Sequence, residues 1–129
     1  MKRYAAIAFV FFALGLLTQQ ACASEANEDA MVIEQLLRAG SNLSKPHAVD
    51  FYVYLPSRRA ADTVAAQLAK HGYTVRVRPS AAGDMRWLAL ASRSMLLSVE
   101  SIGNSAAIIR QVSAPHKGDY DGWEAGVVK

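Results

Sequence analysis

Between residues 49 and 55 the hydropathy has a strict period of two, with Val49, Phe51, Val53 and Leu55 alternating with Asp50, Tyr52 and Tyr54. Successive side chains of a strand point to opposite faces, so this stretch predicts a β-strand with one apolar face and one polar, aromatic face. Pro56-Ser57 stops the run. Ser57 can cap the next helix, whose Ala61, Val64, Ala65 and Leu68 make one apolar stripe, and Gly72 supplies the left-handed residue that ends it. Period two then returns, as Tyr73, Val75 and Val77 alternate with Thr74, Arg76 and Arg78.

Pro79 through Asp84 reads as a turn, and Arg86 to Ala91 as a third strand, apolar enough to sit centrally in a sheet. The two strands flanking that turn form a hairpin. A second helix is expected from about Met95 to Val112, with Leu96, Val99, Ile102, Ala106 and Ile109 on one side and Gly103 as a weak point. Gly118 to Val128 closes the chain as a turn and an edge strand. The order strand, helix, strand, strand, helix, strand predicts an α+β, ferredoxin-like sandwich: an antiparallel four-stranded sheet with two helices on one face and the other face open. Upstream, Met31, Val32, Leu36 and Leu37 stand at near-helical spacing before Gly40, Ser41, Asn42 and Pro46 break the pattern. This predicts a short N-terminal helix and linker over 24–46, packed on the edge of a domain spanning 47–129, in preference to a mobile arm.

The first 23 residues carry a different signal. Lys2 and Arg3 precede a 13-residue apolar run, Ala5 to Leu17, which turns polar at Thr18, Gln19 and Gln20. A membrane span needs ~20 apolar residues, so the run matches a signal peptide rather than an anchor. Ala21-Cys22-Ala23 places small residues at the two positions a signal peptidase reads, and cleavage after Ala23 is the expectation, with a periplasmic or secreted product. The alternative is lipidation at Cys22, which is disfavoured by Gln19 standing where a branched apolar residue is normal. Cleavage would leave 106 residues with 12 basic and 11 acidic side chains, a net charge of +1, and no transmembrane anchor. The basic sequence pI of 9.2 is thus partly a property of the leader and does not by itself argue for nucleic acid as a partner. Cys22 is the single cysteine, so the cleaved chain would have no disulfide and must rest on its core.

Four blocks carry a resemblance: His47 to Tyr54, Gly72 to Val75, Trp87 to Ala91, and Gly118-Asp119-Tyr120-Asp121-Gly122-Trp123-Glu124. Together, over about residues 46–126, they resemble the regulator of ribonuclease E activity B family, and the last block is the most specific of them. The resemblance implies a ferredoxin-like α+β fold without catalytic activity, and inhibition of ribonuclease E by direct binding. That is a cytoplasmic task, whereas positive residues before an apolar run hold the amino end inside and send the remainder of the chain across the membrane. The expectation is therefore an exported, non-enzymatic binding protein with an unidentified protein partner, ribonuclease E being implied by the resemblance but out of reach after export. A cytoplasmic ribonuclease E inhibitor is the alternative.

If the apolar halves of the first two strands face the helices, the open face carries Asp50, Tyr52, Tyr54, Arg76 and Arg78. In the third strand Leu88 and Leu90 suit the core, which would put Trp87 outside beside Tyr52 and the arginines. Aromatics interleaved with guanidinium groups are what single-strand RNA binders use for stacking. Arginine stems covering aromatic rings, with Asp50 or Asp121 neutralising a guanidinium, are the structural reading of the same residues. The missing RNP consensus and the near-zero charge favour it over nucleic acid. Tyr, Trp and Arg are also the residues of protein interface hot spots. In the closing block, Gly122 lets the backbone turn or bulge while Tyr120 or Trp123 plugs the sheet's end; alternatively Asp121, Trp123 and Glu124 form an acidic, aromatic recognition corner.

Catalysis finds little footing. His47, His71 and His116 show no helical metal-ligand spacing, and neither a nucleophile elbow nor a phosphate-cradling glycine loop is present. No metal or cofactor is expected. The alternative of a small metal-dependent enzyme would need His47, Asp50 and His116 to converge.

Overall fold

A computed structural model describes residues 24–81 and 83–129; the expected signal peptide over residues 1–23, with Cys22, lies outside the described residues. Helix α1 covers residues 24–38 of the described chain. Strand β1 (His47–Leu55), helix α2 (Arg58–Ala69), strands β2 (Thr74–Pro79) and β3 (Trp87–Met95), helix α3 (Val99–Ser113) and strand β4 (Asp119–Ala125) come after it. The four strands form one sheet in the order β2-β3-β1-β4, and every neighbouring pair is antiparallel. The fold is α+β.

Local chemistry explains most of these boundaries. Ser57 Oγ accepts the Ala60 N–H at 3.1 Å, satisfying one of the donors a helix start leaves unpaired. Past the last turn of α2, Gly72 takes φ +89°, and the Tyr73 N–H closes back on the Leu68 carbonyl at 3.2 Å. The start of α3 differs from the sequence expectation. Strand β3 runs on to Met95, where it pairs with His47, and the helix begins only after Ser98. Ser98 and Ser101 exchange side-chain-to-backbone hydrogen bonds in a capping box, so Leu96 and Val99 fall before and at the first turn and stay exposed instead of joining the apolar stripe.

Packing follows the period-two pattern of β1. Val49, Phe51, Val53 and Leu55 are wholly buried against Ala61, Val64 and Leu68 of α2 and Ile102 and Ile109 of α3. Each such fully buried large side chain contributes about 1.5–3 kcal/mol. The Phe51 and Tyr73 rings meet edge to face, 6.0 Å between centroids. Helix α2 lies over β2 and β3, and α3 over β4 and β1. Helix α1 buries Ile33 and Leu36, and Leu36 joins the same core. Met31 and Leu37, read as part of its apolar face, are exposed, because the buried stripe runs one position away from them.

Candidate functional site

The register shows which side chains share the uncovered face. Tyr52 stands opposite Leu90 and Tyr54 opposite Leu88 on β3, and the same leucines stand opposite Arg76 and Arg78 on β2. Asp50 aligns with Ser92 on one side and Glu124 on the other, and Tyr54 with Asp119. Asp50, Tyr52, Tyr54, Arg76, Arg78 and Glu124 therefore lie on the face away from the helices, together with Asp119, Leu88 and Leu90.

Trp87 does not. It pairs with Leu55 and Pro79, on the parity of Ala89 and Ala91, whose partners Val53, Phe51, Val77 and Val75 belong to the helix side. Trp87 is half-buried there, with the Arg58 guanidinium of α2 over its ring at 5.6 Å. The expectation that Leu88 and Leu90 fill the core and turn Trp87 outward is thus reversed. The physical reason lies in the packing on both sides of a central strand: α2 needs the small Ala89 and Ala91 beneath it, while the tyrosines and arginines of the neighbouring strands cover the leucines. Leu88 and Leu90 are only 4% and 3% exposed, yet stand apart from the main core.

The closing block is split in the same way. Tyr120 faces Val53 and Trp123 faces Phe51 in the register, so both are on the helix side. An ordinary strand would put residues three apart on opposite faces. Here the ladder slips between Tyr52 and Val53, leaving Asp121 unpaired as a bulge, and Gly122 takes φ +126° to allow it. The bulge expected at Gly122 is found; a single corner of Asp121, Trp123 and Glu124 is not, because Trp123 turns toward α1 while Glu124 turns to the open face. Trp123 Nε1 donates to Asp29 Oδ1 at 2.9 Å. The Arg110 guanidinium sits 4.7 Å over the Tyr120 ring and pairs with Glu25 of α1. Burial, then the Asp29 charge, pushes the Tyr120 hydroxyl well above the usual phenol range, so it stays protonated. A cleft of about 330 Å³ lies between α1, α3 and β4, with Glu28, Gly103, Ala107, Arg110, Asp121 and Trp123 among its walls.

On the open face the polar groups hold one another. Tyr52 Oη donates to Glu124 Oε1, and this bond raises the Tyr52 pKa, with burial and the carboxylates adding to it. Ser92 Oγ donates to Asp50 at 2.5 Å. Arg86, which shares the parity of Leu88, stacks over Tyr54 at 4.4 Å, donates to Asp84 and reaches Asp119 at 3.4 Å. Those donations, from the Arg86 side chain first and its backbone N–H second, hold the Asp84 carboxyl well below the usual carboxylate range. Arg76 and Arg78 are exposed and have no ion pair among the described residues. A shallow depression of about 340 Å³ lies between Tyr52, Tyr54, Arg78, Ser80 and Leu88. The sequence reading missed Arg86, Asp119 and the two leucines here; the equal spacing of 86, 88 and 90 was the available signal.

His47 and Asp50 lie on opposite faces of β1. His47 is wholly buried, with Nδ1 2.9 Å from the Lys45 carbonyl, so that nitrogen donates. Nε2 is then the acceptor for Ser41 Oγ at 2.5 Å. Ser41 Oγ in turn accepts the Val128 N–H at 3.0 Å, tying the loop after α1 to the segment after β4. His116 ends a 3₁₀ turn after α3. The three residues of the metal-dependent alternative do not meet, and among the described residues no three His, Cys, Asp or Glu side chains form a group that could hold a metal.

The sequence matches the family described as regulator of ribonuclease activity B over residues 26–125. The chain belongs to that family. The match takes in α1 and the loop after it as well as the four strands, so the Trp123–Asp29 and Arg110–Glu25 contacts fall wholly or largely inside the family's span. Among curated proteins, none matches the sequence. The family is a regulatory one. No helix among the described residues is long and apolar enough to cross a membrane.

Proposed function

We propose that this member of the regulator of ribonuclease activity B family is a non-enzymatic, protein-binding regulator that works outside the cytoplasm. Family membership carries the regulatory part of this reading. The sheet order β2-β3-β1-β4, with helices crossing between β1 and β2 and between β3 and β4, fits a ferredoxin-like sandwich with 47–129 as its domain and 24–46 as an added helix and linker. Its open face gives the binding part: Tyr52, Tyr54, Arg76, Arg78 and Glu124 are displayed on a rigid sheet, and Tyr and Arg are residue types of interface hot spots. Asp121 projects from the bulge at the rim of the same edge. Tyr120 and Trp123 act from behind by fixing that edge, and Trp87 supports the sheet from the helix side.

Export rests on Lys2-Arg3 and the adjoining apolar run, with cleavage after Ala23 or, in the lipoprotein variant, processing at Cys22. The partner is then a protein of the envelope or the medium. The family description favours a second reading, a cytoplasmic inhibitor of ribonuclease E that controls RNA decay. Fractionating cells that express the full-length chain, with the amino-terminal residue of the product determined, separates the two. A product beginning at Ser24 outside the cytoplasm supports the first reading. Retained Met1 in the cytoplasm, with slowed ribonuclease E cleavage of a structured RNA by the purified protein, establishes the second. Binding itself is tested by partner capture. Capture that survives Tyr52→Ala with Arg76→Ala in a folded protein rules out the open face.

A further inference from the structure

We propose that the open sheet face takes a second copy of this chain, in a face-to-face dimer whose twofold axis runs parallel to the strands. The proposal rests on the reading of that face as a protein-docking surface and names an occupant for it. The reason is an asymmetry of charge across the sheet. On this face the β2 edge presents Arg76 and Arg78 with no acid, and the opposite edge, β4, presents Asp119 and Glu124; Arg86, which reaches Asp119 at 3.4 Å, is already matched by Asp84, so the β4 side keeps an excess of carboxylates. Between them lie the half-buried Tyr52 and Tyr54 on β1, with Arg86 stacked on Tyr54, and Leu88 and Leu90 of β3 buried beneath these side chains.

Two copies can face each other about either of two in-plane axes. An axis across the strands sets β2 on β2 and β4 on β4, so arginines oppose arginines and carboxylates oppose carboxylates. An axis along the strands sets β2 of each copy over β4 of the other. Arg78 and Asp119 occupy the same row of the sheet, through Leu88 and Tyr54, so each Arg78 then meets Asp119 of the second copy. Arg76 falls between the levels of Asp119 and Glu124, within reach of a long guanidinium side chain. In the middle β3 lies over β1, so the half-buried Tyr52 and Tyr54 of one copy face the β3 strip of the other, where Leu88 and Leu90 lie beneath their own chain's tyrosines and arginines. A twofold interface requires one patch to be its own complement, and this patch is.

Size is compatible with this. Four strands ~4.8 Å apart and about seven residues of ~3.3 Å each give a flat footprint of roughly 450 Å². Projecting arginine and tyrosine side chains raise the accessible area toward the ~600–800 Å² per partner of a small specific interface. Arg76 and Arg78 lack ion pairs among the described residues, so docking breaks no pair seen on that edge.

The test is sedimentation velocity over a micromolar concentration series, on protein expressed as the full-length chain and purified in the form the cell delivers. The wild type is expected to sediment as a dimer that high salt weakens. Arg76→Glu with Arg78→Glu, and separately Asp119→Lys with Glu124→Lys, should each raise the dimer Kd at least tenfold while circular dichroism stays unchanged. Mixing the two variants should restore a dimer, since two acidic edges then meet two basic ones. A wild type that is monomeric throughout overturns the proposal, as does a dimer that either pair of reversals leaves intact. A monomer that still captures another protein through Tyr52 and Arg76 overturns the second copy alone and leaves the docking face standing. If one variant fails to fold, the other pair and the salt series still decide.

Discussion

The indole Nε1 of Trp123, on the last strand, donates a 2.9 Å hydrogen bond to Asp29, on the first helix. Beside it Arg110 pairs with Glu25, so two contacts fasten α1 to the rest of the fold at its amino-terminal half. Hydrogen bonds to charged acceptors contribute about 1.5–3 kcal/mol when shielded from solvent. Asp29→Ala should lower stability by about 1–2 kcal/mol in urea unfolding and raise amide exchange in α1 well above that in the sheet. Equal protection of α1 in the variant and the wild type would show that the Ile33 and Leu36 contacts alone hold the helix.

Gly122 is the second point of leverage. At φ +126° a β-branched residue is strained although nothing lies within 4 Å of the site a Cβ would occupy. Gly122→Val is expected to cost about 1–3 kcal/mol through the backbone alone. If the bulge is what turns Trp123 inward, the variant's tryptophan emission should also shift to the red. A stable variant with unchanged emission would mean that the bulge persists without a glycine and stores little backbone strain.

Trp87 and the two β2 arginines give opposite expectations for residues that the sequence placed together. Trp87→Ala removes a half-buried ring from beneath Arg58 and should cost about 2–3 kcal/mol. Arg76→Ala with Arg78→Ala should change stability by no more than ~0.5 kcal/mol, as exposed substitutions do, and act on association instead. Thermal unfolding of both variants, side by side, checks the assignment of faces.

Ser98 and Ser101 cap α3 reciprocally. Ser98→Ala should lower stability by about 1 kcal/mol. Adding Ser101→Ala should cost less than a second independent cap, because the two bonds belong to one motif. Strictly additive losses would argue against a reciprocal box.

Legibility in the sequence depends on how many faces a strand buries. In β1 one face is apolar and the other is not, so alternation alone puts Phe51 and Tyr52 on their correct sides. The same holds for the stripe of α2, its Ser57 cap and its Gly72 terminus, which are local signals. Strand β3 offers no such contrast: Leu88, Ala89, Leu90 and Ala91 are all apolar and all buried, and only the pairing register decides which faces the helices. Trp87 is placed on the wrong side by alternation for that reason. Tyr120 and Trp123 are illegible for a different one, since a bulge inserts a residue that alternation cannot count. The partnership of Trp123 with Asp29 spans 94 positions and leaves no local trace.

The unpaired Asp121 also matters to the outer rim of the sheet. A regular edge strand is a template on which another chain can extend a hydrogen-bonded ladder, and unlimited extension of that kind leads to fibres. At β4 the ladder is out of step midway, so an incoming strand could match only one half of it. At β2 the alternation of Thr74, Arg76 and Arg78 lines the rim with positive charge, which repels a second such rim. With one border misaligned and the other electrostatically guarded, the fold limits growth of the sheet in both directions.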